Sequence, residues 1–145
     1  LRATADKQLI YRYFGGLDGL LEAAVDAVAL VRADGSGTIA VIAVDGVVDA
    51  VHAALRDRIP GEVARGAMGL RRAVAVLTPG EAKGLEFDAV VVVEPTAIVE
   101  SGPRGAGALY VAMTRPTQRL VVVAAWALPA GIEAGIELAA AASRA

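Results

Sequence analysis

The sequence contains no cysteine, one histidine and few aromatic residues, which make up 4% of its 145 residues. Without cysteine, disulfides, cysteine-based zinc sites and a thiol nucleophile are excluded. The apolar runs are of strand length, well short of the roughly 20 residues that a membrane-spanning helix needs. A net charge of −2 argues against a surface that is basic throughout. We therefore expect a cytoplasmic protein that does not associate with membranes, and no metal site, because His52 has no ligand-type partner nearby.

Hydrophobic residues make up 56% of the chain, which predicts a folded domain with a substantial core. From residue 38 onward, apolar β-branched runs alternate with helical patterns at 47–59 and 105–114. The predicted strands are Thr38–Val44, Arg72–Leu77, Ala89–Val93 and Leu120–Ala124. Apolar runs without alternation are typical of a sheet covered on both faces. This order predicts an α/β fold with a mainly parallel sheet, closed by a helix in the alanine-rich tail, Gly131–Ala145.

The first 35 residues have a different pattern, in which apolar residues recur at three- and four-residue spacing. This spacing predicts helices on either side of Gly15 and Gly16. The turn at 33–37 then indicates a boundary between a helical segment, 1–35, and an α/β domain, 36–145. In the α/β domain, ligands are expected beyond the carboxyl ends of the strands, after Leu77 and Val93.

The segment Thr78–Asp88, TPGEAKGLEFD, combines a turn, a lysine and acids between two predicted strands. The Lys83 ammonium and free backbone N–H groups of such a loop can hold phosphate oxygens. A carboxylate such as Glu86 can accept a hydrogen bond from a ribose hydroxyl. An ordinary surface loop accounts for the same residues equally well.

A second segment, Leu109–Leu120, joins a predicted helix to a predicted strand. Arg115 precedes Pro116, which forces Arg115 out of helical geometry and so places it at the end of the helix. A guanidinium at this corner can present its planar donors to a phosphate. Alternatively, Arg115 simply complements the helix dipole.

Taken together, AKGLEFD and LYVAMTRPTQRL resemble the last two conserved motifs of superfamily 1 helicases of the UvrD type. The resemblance covers about residues 37–125 and implies the carboxyl-terminal part of a second RecA-like domain, with helices on both faces of its sheet. It implies that Lys83, Gly84 and Glu86 contact a nucleotide, with Glu86 on the ribose. It also implies that Arg115 is a catalytic arginine finger and that Thr78 contacts nucleic acid.

Gly80 stands where UvrD-type helicases usually have a histidine, and Glu81 adds an acid beside it. In this respect TPGEAKGLEFD looks more like the HelD branch, whose ATPases act on RNA polymerase. The 145 residues contain no GxxxxGK[ST] phosphate loop and no Asp-Glu pair for Mg²⁺. Under the resemblance, both features belong to a first RecA-like domain. We therefore expect ATP and Mg²⁺ to act only together with that partner domain, and the chain alone not to be an ATPase.

Residues 5–25 include DKQLIYRYFGGLDGLL, which resembles the recognition helix of TetR-type regulators and the start of the next helix. This resemblance implies that Lys7, Tyr11 and Arg12 face DNA, and we expect Tyr13 and Phe14 to be buried against the α/β part. Two rival interpretations remain. One is a non-catalytic α/β binding module, and the other is an engineered or recombined chimera with a TetR-like DNA-binding helix.

Overall fold

The computed structural model describes residues 7–66 and 73–125. Strands and helices alternate through these ranges. In chain order they are β1 (Lys7–Arg12), α1 (Gly16–Ala33), β2 (Ile39–Ile42), α2 (Asp45–Arg58), β3 (Val63–Arg65), β4 (Val74–Leu77), α3 (Pro79–Ala82), β5 (Phe87–Val93), α4 (Pro95–Val99), α5 (Gly105–Met113) and β6 (Pro116–Ala124).

The strands form a single sheet in the order β1-β6-β5-β2-β4-β3, and every pairing between them is parallel. Strand residues alternate between two buried faces. Val41 and Val91 face the side covered by α1 and α2, whereas Ile42 and Val92 face the side covered by α3, α4 and α5. The prediction of a parallel α/β sheet with helices on both faces is therefore confirmed.

The prediction of a helix over the residues before Gly15 is wrong. Lys7–Arg12 is a strand that pairs with β6, with Leu9 opposite Val121. Leu9 packs towards one face of the sheet and the adjacent Ile10 towards the other, as strand geometry requires. Without β1, this edge of β6 would have unpaired backbone groups, so sheet pairing overrides local helical spacing.

Because residues 7–12 form a strand, the TetR-like recognition helix is absent, and the contacts implied for Lys7, Tyr11 and Arg12 lose their basis. Tyr13 is partly buried against the core, as expected, but Phe14 is 77% exposed. Gly15 does not end a helix; it precedes α1 with a φ of 93°. The sheet also joins β1, from the 1–35 segment, to β6, from the 36–145 segment.

Three short elements, β3, α3 and α4, have no counterpart in the sequence prediction. Each has three to five residues, too few for a periodic pattern to emerge. The predicted tail helix, Gly131–Ala145, and the first residue of the predicted Arg72–Leu77 strand lie outside the described residues. Within the two described ranges, no helix combines the length and hydropathy needed to cross a bilayer.

A glycine sets the contact between α4 and α5. Gly105 begins α5 and is buried, and a Cβ atom there would lie 1.9 Å from the Val99 carbonyl oxygen and 2.7 Å from that of Ile98. Both obstacles are backbone atoms, which cannot rotate away. At Gly107, on the same helix, a Cβ atom would meet no atom within 4 Å. The close approach of α4 and α5 therefore requires glycine at only one of these two positions.

We expect Gly105→Ala to destabilise the fold by about 1–3 kcal/mol, because the methyl group overpacks against the backbone of α4. Gly107→Ala is the matched control, and we expect it to stabilise by about 0.5–1 kcal/mol, since alanine is the better residue in a helix interior. Urea melts of both variants beside the parent chain measure the difference. Equal stability of the two variants would contradict the proposed contact.

Candidate functional site

The residues singled out by the sequence lie on the side of the sheet covered by α3 and α5. Thr78 caps the start of α3, and Lys83 follows its last residue. The chain then runs through Gly84 and Glu86 into β5, while α5 leads to Arg115 at the start of β6. Since α3 packs against α5, the two sequence motifs become neighbours.

Thr78 is the N-cap of α3 in a capping box. Its Oγ1 accepts a hydrogen bond from the Glu81 N–H at 3.3 Å, and its own N–H donates to Glu81 Oε1 at 2.9 Å. These two bonds satisfy backbone donors that the first turn of a helix leaves unpaired. Thr78 therefore has a structural role in the turn that presents Lys83.

Glu81 also holds α3 against the edge strand β3. Arg65 Nη1 donates to Glu81 Oε1 at 2.6 Å, and Arg65 Nε donates to Asp49 Oδ1 of α2 at 3.0 Å. Partial burial acts to raise the pKa of Glu81, but the bonds from the Thr78 N–H and Arg65 outweigh it and lower that pKa below its usual range. The acid that distinguishes this loop from UvrD-type sequences is thus paired inside the domain.

Arg115 is held by three hydrogen bonds. Its Nε donates to the Val111 carbonyl at 3.0 Å, Nη1 to the Leu85 carbonyl at 3.2 Å and Nη2 to Thr114 Oγ1 at 3.1 Å. The guanidinium therefore ties the end of α5 to the loop before β5. Each terminal nitrogen carries two hydrogens and uses one of them here, so donors remain for a ligand.

The loop between α3 and β5 turns at Gly84, whose φ of 81° is strained for any residue with a side chain. Leu85 then points inward and packs against the core, whereas Lys83 and Glu86 are exposed on either side of the turn. In the described part of the chain, neither of these charged side chains has an ion pair. Both remain available to a ligand.

The structure divides the predicted site residues between the two edges of the sheet. Thr78 follows β4 at the carboxyl edge, where ligands were expected. Glu86 and Arg115 precede β5 and β6 and so lie at the amino edge, where the Phe87 N–H donates to the Arg115 carbonyl at 3.1 Å. The residue after Val93 is Glu94, at the carboxyl end of β5. Its Oε1 accepts hydrogen bonds from the Tyr13 hydroxyl and from the Ala125 N–H, so Glu94 holds neighbouring segments of the sheet together.

A groove of about 500 Å³ lies between α3 and α5. It is lined by Pro79, Gly80, Lys83, Arg104, Gly107, Ala108 and Val111. Arg104 is a cation that the sequence reasoning missed. The signal that could have found it is its helical spacing from Ala108, Val111 and Arg115.

The described residues include no group of three His, Cys, Asp or Glu side chains that could hold a metal ion. His52 lies on α2, which covers the opposite face of the sheet. Partial burial lowers its pKa, and the nearby Arg56 and Arg65 lower it further, whereas Asp49 acts in the other direction. The basic side chains of the groove therefore suit an anion, and they offer no ligands to a metal.

Residues 73–123 match the UvrD-like helicase C-terminal domain. The matched range includes both sequence motifs and three of the six strands of the sheet, β4, β5 and nearly all of β6. No curated protein matches the chain.

Among solved structures, the C-terminal domain of a possible DNA helicase from Lactobacillus plantarum WCFS1 aligns with a TM-score of 0.64 and 25% identity, over 89% of this chain and 79% of that one. The helicase domain of Pyrococcus furiosus Hef aligns with a TM-score of 0.46 and 15% identity, over 83% of this chain and 28% of that one. The DUF1998 helicase MrfA bound to DNA aligns with a TM-score of 0.49 and 10% identity, over 81% of this chain and 19% of that one. The chain has the fold of a RecA-like helicase C-terminal domain.

The pairing of Glu81 with Arg65 predicts how stability depends on pH. The pKa of Glu81 is lowered in the folded state, so its contribution is complete at neutral pH and is lost as the pH falls through that lowered pKa. We expect Glu81→Gln to cost about 0.5–1 kcal/mol at pH 7 and much less at pH 3. Urea melts at both pH values measure this.

The matched control is Glu86→Gln, which alters an exposed carboxylate outside the ion pairs of the described residues. We expect it to leave the free energy of unfolding nearly unchanged at pH 7. A cost for Glu81→Gln that is equal at pH 7 and pH 3 would contradict the role of the ionised pair.

Proposed function

We propose that the chain acts as the second RecA-like domain of a UvrD/HelD-like ATPase. In this role it supplies Arg115 and the Lys83–Glu86 loop to a composite ATP site shared with a first RecA-like domain. The observation that carries the proposal is the 3.2 Å hydrogen bond from Arg115 Nη1 to the Leu85 carbonyl. This bond joins two sequence motifs that are 30 residues apart, within a fold typical of helicase C-terminal domains.

In the proposed site, each residue has a separate role. Lys83 is a point charge for phosphate oxygens, Gly84 allows the turn that exposes it, and Glu86 accepts a ribose hydroxyl. Arg115 is the catalytic residue, an arginine finger that stabilises charge spread over the transferring γ-phosphoryl group. Its internal bonds support this role, because a guanidinium that is already oriented loses little freedom when the phosphate arrives.

ATP and Mg²⁺ enter the proposal only through the partner domain. An exposed lysine and an arginine with donors to spare suit the phosphates, but the described residues have no carboxylate cluster for Mg²⁺. The first RecA-like domain would supply the metal-binding carboxylates and the phosphate loop. The assembled protein would act in the cytoplasm. Its substrate would be either nucleic acid, with Thr78 near the nucleic-acid strand, or RNA polymerase.

A second candidate function follows from the same hydrogen bonds. All three donor nitrogens of Arg115 already bond to acceptors inside the domain. This favours a non-catalytic α/β binding module in which Arg115 only fastens α5 to the loop before β5. The two functions make opposite forecasts for catalysis by Arg115 variants.

We expect the 145-residue chain by itself to hydrolyse ATP no faster than buffer containing Mg²⁺. The physical reason is that the finger stabilises a transition state whose phosphates and metal must be held by other groups. Phosphate release, followed over hours at high protein concentration, measures this. Mg²⁺-dependent turnover that co-purifies with the chain and disappears in Lys83→Ala would contradict the composite site.

In an ATPase completed by a first RecA-like domain, we expect Arg115→Ala to lower kcat by about 10³-fold or more, with a small effect on ATP affinity. The finger interacts most strongly with charge that develops in the transition state. Arg115→Lys should restore little, since an ammonium lacks the planar fork. Lys83→Ala and Glu86→Ala should chiefly weaken ATP binding. Single-turnover hydrolysis and nucleotide titration separate these effects.

Arg56→Ala is the control for charge, because Arg56 is exposed on the helix that covers the other face of the sheet. It should leave both constants unchanged. Arg115→Ala should also lower the melting temperature, since it removes the bonds to Leu85 and Val111. A lowered melting temperature with a normal single-turnover rate would establish the fastening role and refute the finger.

A further inference from the structure

Two positively charged side chains, Lys83 and Arg104, line the groove between α3 and α5. Arg104, Ala108 and Val111 lie at three- and four-residue spacing, so they share one face of α5. Continuing that spacing leads to Arg115, whose Nε bonds to the Val111 carbonyl. Lys83 lines the opposite wall. The groove therefore has Arg104 on its α5 wall and Lys83 on its α3 wall, and Arg115 follows Val111 by one helical turn, outside the groove lining.

No acid offsets these charges inside the groove. Its lining includes Lys83 and Arg104 but no carboxylate, and neither cation has an ion pair among the described residues. Glu81 is part of α3 but is bonded to Arg65. Arg104 is also the N-cap of α5, where the helix dipole is positive. The groove is therefore complementary to an anion.

The size and walls of the groove restrict that anion. Its volume of about 500 Å³ is typical of small-molecule sites. Gly80 and Gly107 leave it open, since a Cβ atom at either position would meet nothing within 4 Å. No aromatic side chain lines it, whereas sites for single-stranded nucleic acid commonly stack bases on aromatic rings. A compact polyphosphate fits these walls better than a nucleic-acid strand does.

We infer that the α3–α5 groove holds the phosphate tail of a nucleotide, and that Arg104 is its second cation, opposite Lys83. The inference rests on the proposed function and extends its binding site along α5. It adds Arg104 to the residues that hold the phosphates before chemistry begins. Arg104 would act in ground-state binding, whereas Arg115 would act on the transferring group.

The test is an NMR titration of the ¹⁵N-labelled 145-residue chain with sodium tripolyphosphate and, separately, with ATP. We expect saturable shifts of the Gly80 and Gly107 amides, which line the groove, and none at Gly46, at the start of α2. Arg104→Ala and Lys83→Ala should each weaken the Kd for both probes about three- to tenfold, the effect of losing one exposed charge-assisted contact.

A second pair of variants tests the groove without removing a charge. Gly107→Leu places a side chain in the open space of the groove and should weaken both probes by at least the same factor. Ala106→Leu adds an equally large side chain to α5 at an exposed position outside the groove lining and should leave the Kd unchanged. Melting curves establish that both variants fold.

The outcomes separate this inference from the proposed function. Binding that depends on Lys83 but is unaffected by Arg104→Ala and Gly107→Leu would overturn the groove and leave the composite site intact. Absence of any shift at millimolar tripolyphosphate and ATP would also overturn the groove, while the Arg115 kinetics decide the function independently. An oligothymidine 8-mer that binds the groove more tightly than ATP would refute a nucleotide as occupant.

Discussion

The strands in the middle of the sheet have apolar side chains on both faces, and this constraint governs the rest of the fold. In β5, the adjacent residues Val90 and Val91 are buried on opposite faces. Full burial of such a side chain is worth about 1.5–3 kcal/mol, so neither face can be left to water. Helices must therefore cover both sides. Parallel strands are joined by crossover connections, and each crossover places helical structure over one face of the sheet.

The candidate site is a product of that covering layer. The connection from β4 to β5 is short, and it crosses the sheet as a single turn, α3, followed by the loop that exposes Lys83 and Glu86. The connection from β5 to β6 crosses the same face as α4 and α5 and ends at Arg115. The two crossovers must pack against each other to cover the face they share. Arg115 bonds across their junction to Leu85.

Charge is arranged so that the groove remains positive although the chain is slightly acidic overall, with a net charge of −2. Glu81 lies next to the groove but is held by Arg65 and the Thr78 N–H. At the amino edge, Asp34 pairs with Arg119, and Asp88 accepts hydrogen bonds from the Gly37 and Thr38 N–H groups. These carboxylates connect elements of the fold, and among the described residues neither Lys83 nor Arg104 has an ion pair.

Much of the fold could be predicted from the sequence. The apolar runs around Val41, Val76, Val91 and Val122 are long enough and β-branched enough to specify strands, and the pattern at 47–59 specifies α2. The two motifs also identified the segments from which Lys83, Glu86 and Arg115 come. These features are local, because each depends on the spacing of neighbouring residues.

Only the tertiary structure decided the rest. Lys7–Arg12 has helical spacing but becomes a strand because β6 offers it an open edge. Arg65 and Glu81 meet because β3 lies beside β4. Arg104 and Lys83 line the same groove because α3 packs against α5. Local spacing along the chain specifies the central strands and α2. Contacts between segments distant in sequence determine which edges are paired and which charges meet, because they form only when the sheet and its covering helices pack together.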